Sequence, residues 1–366
     1  MTLTYPTQRI VLEHFEANQR FLFAARCPSI QKIDKSVPLK LSRLRFDDNA
    51  VLINDIWYTF GVGTFEVEET QEEKLARQRK DLEPGEVLLK VDQSRIYDSF
   101  VLLAYNSQSG KFSSRSRMLP AQYKDENATL KQFLSIVIGG RSEIKVVWFY
   151  IALKHQTVLK LPNNFPKLQV RNIHMYRNDI TLIQHLLDPK CFPLKLVNIY
   201  SWEQAYYQNS MLSKAKCLIL EGSFSHNSRT FWYGVVLTVR NKQVQMRDVE
   251  FTEEQIIALI NDVIEKGRKN GTLFVLQCSG VRFLNKLLAK IENRFKGTEV
   301  TMNNPIRNEV VVSRLVAVQL TQSELVVYGV ENETDKEKIQ ILLRVMKTGS
   351  TTTAEKKKGF SIPWFY

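Results

Sequence analysis

Cysteine is scarce in this chain of 366 residues, and the four that occur, Cys27, Cys191, Cys217 and Cys278, stand apart from one another. With no C-x-x-C spacing, neither a zinc knuckle nor a thioredoxin-type site is indicated, and buried free thiols in a reducing compartment are the simpler reading. Long apolar runs are missing too. None approaches the ~20 residues that a membrane helix needs, and the first residues lack the apolar stretch of a signal peptide. We therefore expect a protein of the cytoplasm and/or nucleus with no membrane partner. Without secretion, the N-x-[ST] matches at Asn127, Asn270 and Asn332 carry no meaning. The histidines, His14, His155, His174, His185 and His226, show no metal-ligand spacing. There is no G-x-S-x-G elbow, no H-E-x-x-H and no G-x-x-x-x-G-K-[ST] loop. "SQSGKFSS" at 107–114 has a Gly-Lys pair without the upstream glycine that would let backbone amides wrap a phosphate. The expectation is a non-enzyme with no catalytic residue, no metal and no cofactor.

What is present is ordinary globular composition, 44% hydrophobic and 24% charged, in a chain long for one compact core. The net charge of +13 admits nucleic acid, anionic lipid or acidic protein as partners. That charge is spread along the chain, and only Lys356, Lys357 and Lys358 form a dense run. A generally basic solvated surface accounts for it as simply as a nucleic-acid groove does.

Residues 1–36 read as three short helices. Pro6 suits a first helical turn, and Val11, Leu12 and Phe15 share a face. Asn18 is placed to cap a second helix carrying Phe21, Leu22, Ala24 and Ala25, and Ser29 a third after Pro28. Residues 37–123 read as a mixed β region, with the densely charged stretch 65–86 as a solvated excursion. A helix is expected at about 127–138, with Leu130, Phe133, Leu134 and Val137 on one face.

From Ile144 onward four segments stack in one frame: "IKVVWFYIA", "VRNIHMYRN", "LVNIYSWEQ" and "AKCLILEGS". Each fits, loosely, the L-x-x-L-x-L-x-x-N skeleton of a leucine-rich repeat, with Val147, Ile173, Ile199 and Leu218 as core anchors. "MRDVEFTEE" fits after a hairpin-like insertion, "TFWYGVVLTV", with Val249 as anchor. Between the segments, Ile180, Ile183, Leu186 and Leu187 form one apolar helical face, and Tyr207, Met211 and Leu212 form the next. Thr252 and Gln255 form a capping box ahead of Ile256, Ile257, Ile260, Val263 and Ile264, and Gly267 closes that helix. The fold class is thus α/β: a short helical N-terminal segment, a mixed β region over 37–123, a leucine-rich-repeat-like strand-helix array over 124–345, and a flexible basic tail over 346–366. An ordinary open α/β sheet with coincidental spacing is the competing reading.

In the repeat frame, alternate strand residues face opposite ways. Trp148 and Tyr150, His174 and Tyr176, and Tyr200 and Trp202 then line one face in rows about 5 Å apart. Rigid rings suit protein recognition and also stack unpaired bases. A one-residue slip in register would instead turn them into the core.

The opening, "LTYPTQRIVLEHFEANQRFLFAARCPSIQKIDKSVPLKL", resembles the start of the nematode F-box C proteins, with Tyr5-Pro6 where Leu-Pro is usual. The likeness continues through "LSIVIGGR", "LPNNFPKLQVRNIHMY", "CFPLKLVNI" and "LINDVIEKGRKNGTLF". The resemblance implies a substrate receptor. Its F-box-like segment would dock a Skp-type adaptor of a cullin-RING ubiquitin ligase through Leu3, Pro6, Val11, Leu12, Phe15 and Leu22, and the ring-bearing face would hold a target protein. A basic RNA-binding repeat protein and an interaction scaffold without a ligase link are the alternatives.

Overall fold

The computed structural model describes residues 5–47, 50–66, 96–106, 117–118, 126–152, 159, 161–176, 180–200, 209–222, 228–304, 309–332 and 338–354. Of the excursion expected over 65–86, residues 65 and 66 end a strand and the rest lies outside the described residues; of the flexible tail expected over 346–366, residues 346, 347 and 351–353 belong to strands and those from 355 lie outside the described residues. The chain divides into two compact units, residues 1–170 with 186–188, and 171–185 with 189–366.

The first unit opens with α1 (Tyr5–His14), α2 (Ala17–Arg26) and α3 (Pro28–Ser36). The caps differ from those expected. Glu16, not Asn18, caps α2, accepting from the backbone amides of Asn18 and Gln19. Helix α3 starts with Pro28 in its first turn and no side-chain cap, because proline removes one of the amides a cap would have to satisfy. The strands β1 (Leu39–Asp47), β2 (Ala50–Ile53), β3 (Ile56–Glu66), β4 (Ile96–Asn106) and β5 (Arg117–Met118) form an antiparallel meander. After α4 (Glu126–Val137), β6 (Ile144–Ile151) returns to pair with β1 in parallel.

Charge, rather than hydrocarbon alone, ties these helices to their unit. Asp34 on α3 is 1% exposed and lies between two guanidiniums. Arg20 of α2 donates Nε to Asp34 Oδ1 (2.6 Å), and Arg141, just past α4, donates Nη2 to Asp34 Oδ2 (2.5 Å). The same arginines cap chain ends. Arg20 reaches the carbonyls of Asp34, Val37 and Pro38, and Arg141 those of Val137 and Asp34. The last carbonyls of a helix have no partner within it, so these bonds satisfy groups that burial would otherwise strand. Burial pushes Arg141 below the usual guanidinium range, and its bond to Asp34 opposes that shift.

Strands β1 and β6 share an irregularity that the simple alternation missed. Leu39, Leu41, Leu44 and Phe46 are buried, as are Ile144, Val146, Phe149 and Ile151. In each strand two successive residues, Ser42 and Arg43 or Val147 and Trp148, lie between the buried ones, while the strands stay in register with each other. Val147 is thereby out of the core, 42% exposed where the repeat frame made it an anchor.

The second unit takes β7 (Leu168–Tyr176) from Arg171 onward. Two short 3₁₀ segments, Ile180–Leu186 and Pro189–Cys191, lead to β8 (Leu196–Tyr200). Then come α5 (Ser210–Lys214), β9 (Cys217–Glu221), α6 (Ser228–Thr238), β10 (Gln243–Glu250), α7 (Glu253–Lys266), β11 (Leu273–Cys278) and α8 (Val281–Phe295). Strands β7 to β11 are parallel and lie in chain order. Right-handed crossovers that step the same way put their helices on one face of the sheet, and among the described residues Trp232 of α6 meets Gly222 and Leu284 of α8 meets Gly329. The antiparallel β12 (Thr298–Met302), β13 (Leu315–Gln319), β14 (Ser323–Glu331), β15 (Ile339–Lys347) and β16 (Thr351–Thr353) complete it, with β15 docked antiparallel on β11.

The ladder departs from a constant step. Ile173 pairs with Val197, Val197 with Leu218, Leu218 with Val244 and Val244 with Phe274, separations of 24, 21, 26 and 30 residues. Ile199 lies beside Met175, two residues from its expected partner Ile173. A two-residue slide preserves the facing of every side chain, so Ile173, Ile199 and Leu218 are buried as expected; Val249 is buried too, but Leu218 pairs with Val244 and the register of β10 shifts between Gln245 and Glu250. The segment expected to form a hairpin, "TFWYGVVLTV", belongs to α6 instead. Its buried residues Trp232, Val235, Val236 and Val239 follow helical spacing, which its strand-favouring composition concealed. The capping box of Thr252 and Gln255 on α7 is present, with Gly267 at φ 58 closing the helix.

Candidate functional site

Three surfaces carry the candidate residues, and each is taken within its own unit. On the N-terminal helices, Leu12 is buried and serves the core, Val11 is half-buried, and the Phe15 ring packs 5.3 Å from Phe23. Pro6 and Leu22 are exposed, and Leu3 lies outside the described residues. The structure adds neighbours that the candidate set omitted: Tyr5, Ile10 and Phe23 are 53%, 59% and 46% exposed.

The helix-poor side of β1 and β6 carries Trp148 and Tyr150, half-buried and stacked at 5.9 Å with a 24° interplanar angle. Arg43 and Arg45 come from the neighbouring strand, and Arg45 lies 5.2 Å over the Trp57 ring. Burial raises the Tyr150 hydroxyl pKa, and the two arginines pull it back. Asp55 and Asp47 partly neutralise these arginines, at 2.5 Å and 2.7 Å.

In the second unit, Tyr176 and Tyr200 pair directly across β7 and β8, their rings 4.9 Å apart and 9° from parallel. The expected row placed His174 beside Tyr200; the ladder places it beside Asn198. Trp202 lies outside the described residues. Asn198 is 5% exposed, donates Nδ2 to Glu221 Oε1 (2.7 Å) and stands 3.0 Å from His174 Nδ1. Arg247 approaches the same Glu221 at 3.6 Å. Beside this row, Cys217 has its thiol pKa raised by burial, an effect that Arg247 only partly offsets. A raised thiol pKa disfavours the reactive thiolate.

Past Glu221 the same face hollows into a cavity of about 450 Å³. Leu273, Val275, Val330 and Leu342 form its apolar lining, and Gln245, Gln277 and Gln340 project among them. Gln277 and Gln340 are cross-strand neighbours on β11 and β15. Glu309 is fixed by the Tyr328 hydroxyl (2.7 Å) and by Arg344 (2.5 Å). Burial and that bond to Glu309 both raise the Tyr328 pKa, so its hydroxyl stays a donor. These residues were missed in the sequence because no motif contains them. Their signal was positional: a glutamine at every other residue in "QVQ", or flanked by buried apolar residues in "LQC" and "IQI", marks the side of a strand away from the core. Among the described residues no group of three or more His, Cys, Asp or Glu could hold a metal ion, and no helix is long and apolar enough to cross a membrane.

Residues 126–280 match the family described as Domain of unknown function (DUF3557). The match covers less than half of the chain, from α4 through β11, and takes in the tyrosine pair and the β9–β11 side of the cavity. No curated protein matches the chain, and no solved structure does.

Proposed function

We propose that this protein is a non-catalytic recognition subunit that holds a target protein on the helix-free face of its second unit and docks a Skp-type adaptor of a cullin-RING ligase through its N-terminal helices. The observation that carries the reading is the stacked Tyr176–Tyr200 pair beside a cavity to whose lining, among the described residues, no helix contributes. Rings already held in place lose little freedom on binding and make strong interface anchors. The consecutive parallel strands with one-sided connections favour a leucine-rich-repeat-like mode of use, in which the sheet face receives the partner. The tether rests on the resemblance of the opening residues to F-box C proteins and on the apolar side chains of Tyr5, Ile10, Leu22 and Phe23 left at the surface. The chain does no chemistry in this scheme. Holding a target near a ubiquitin-transfer module raises its effective concentration there, and the work takes place in the cytoplasm or nucleus.

Purified adaptor and full-length protein test the tether. Ile10→Asp with Leu22→Asp introduces charge at exposed positions, so the fold should survive while adaptor retention falls below detection. Retention equal to wild type refutes the tether. A second reading, single-stranded RNA on the first unit, is favoured by the cationic side chains of Arg43 and Arg45 around stacked Trp148 and Tyr150. For it, affinity should fall linearly with salt on log–log axes; a salt-independent signal excludes it.

A further inference from the structure

We propose that the cavity of the second unit binds an arginine side chain together with the peptide groups that flank it, so that the partner segment is extended and basic. This rests on the reading that the helix-free face receives a protein. The chain carries a net +13, yet at this cavity the carboxylates of Glu221, Asp248, Glu309 and Glu331 outnumber the cations of Arg247, Lys338 and Arg344, the last paired with Glu309. A site of opposite sign to its protein selects a cationic ligand and disfavours phosphate. The acceptors are of two kinds. Glu221 and Glu309 are held in place, the first by Asn198 and Arg247, the second by Tyr328 and Arg344. Asp248 and Glu331 also line the cavity, and among the described residues neither has an ion-pair partner.

The floor decides between arginine and a simple cation. A small hydrated ion gains nothing from Leu273, Val275, Val330 and Leu342, whereas the methylene stem of a long basic side chain lies along such a surface. The side chains of Gln245, Gln277 and Gln340 present carboxamides in the same space, each offering both a donor and an acceptor. A peptide group needs both, and a guanidinium needs several acceptors spread in a plane, which carboxylates and carboxamides together supply. A volume of about 450 Å³ is within the ordinary range for ligand sites and leaves room for backbone beside the side chain.

The test uses the full-length protein and two probes, Nα-acetyl-arginine methylamide and its uncharged isostere Nα-acetyl-citrulline methylamide, with binding followed by titration calorimetry and by NMR shifts of the side-chain amides of Gln277 and Gln340. The arginine probe should saturate and move those amides, and the citrulline probe should bind at least about tenfold more weakly, as loss of charge-assisted hydrogen bonds implies. Asp248→Asn combined with Glu331→Gln should weaken the arginine probe by a similar factor. Both changes keep shape, and asparagine accepts the left-handed backbone of residue 248, at φ 58, as readily as aspartate; an unchanged unfolding midpoint checks that the fold persists. Equal binding of the two probes, no saturation by the arginine probe, or shifts confined to other residues overturns the proposal. Adaptor retention is measured on a different unit, so failure of the tether leaves this result readable, and failure here leaves the tether standing.

Discussion

The two units fasten helices to sheet by opposite means. In the first, α2, α3 and the end of α4 meet at one aspartate and two arginines, all nearly inaccessible to water. In the second, α8 lays Leu284, Leu287, Leu288 and Ile291 on the sheet, each fully buried, and its ion pairs stay at the rim. Hydrocarbon burial is graded: a lost methyl group costs in proportion to the area and cavity involved. A buried ion cluster is closer to all-or-none, because removing one member strands the charges that remain. The first unit should therefore tolerate change at its helix junction far less than the second.

Three substitutions test that contrast. Asp34→Ala should have the largest effect, a loss of about 3–5 kcal/mol or more, since two buried guanidiniums lose their counter-charge together. Urea unfolding reads it, and a shift below about 1 kcal/mol would mean that water or relaxation replaces the carboxylate, ending the distinction between the units. Leu288→Ala on α8 should cost about 2–5 kcal/mol, with the lower end expected if α8 settles into the gap. A loss larger than that of Asp34→Ala would invert the comparison. The smallest effect belongs to the rim. Lys286 and Lys290 hydrogen-bond to Glu253 and hold its carboxyl below the usual carboxylate range. A lowered folded-state pKa means that its contribution is fully present above the unfolded value, about 4.3, and fades as pH falls through the folded one. Lys290→Ala, a half-exposed partner, should cost the least of the three at neutral pH, and that difference should shrink in strong acid and in high salt. A difference that persists unchanged in acid would show that the carboxylate is not its source.

How much of this was legible in the sequence follows the same division. Helix α7 was readable nearly to the residue, because Thr252, Gln255 and Gly267 are local signals for a start and a stop. The buried strand residues Ile173, Ile199 and Leu218 were readable because alternation fixes facing. Register was not, since a slide of two residues leaves the alternating pattern intact, and so Tyr200 was matched with His174 instead of Tyr176. Val147 was misassigned because the in–out alternation of β6 skips there without any mark in composition. The junction of Arg20, Asp34 and Arg141 was out of reach, its members 14 and 107 residues apart and each an ordinary charged residue taken alone. The cavity was hidden for a related reason: Gln277 and Gln340 become neighbours only once β15 reverses onto β11.

The junction at Asp34 also bears on what happens when the chain is shortened. Cutting after residue 36 would carry away the only acid that answers Arg141 among its hydrogen-bonded neighbours. Proteolytic clipping or a late start of translation would then yield no trimmed protein that keeps the fold of this unit. It would yield a polypeptide with an orphaned cation at its heart, apt to unravel and be cleared.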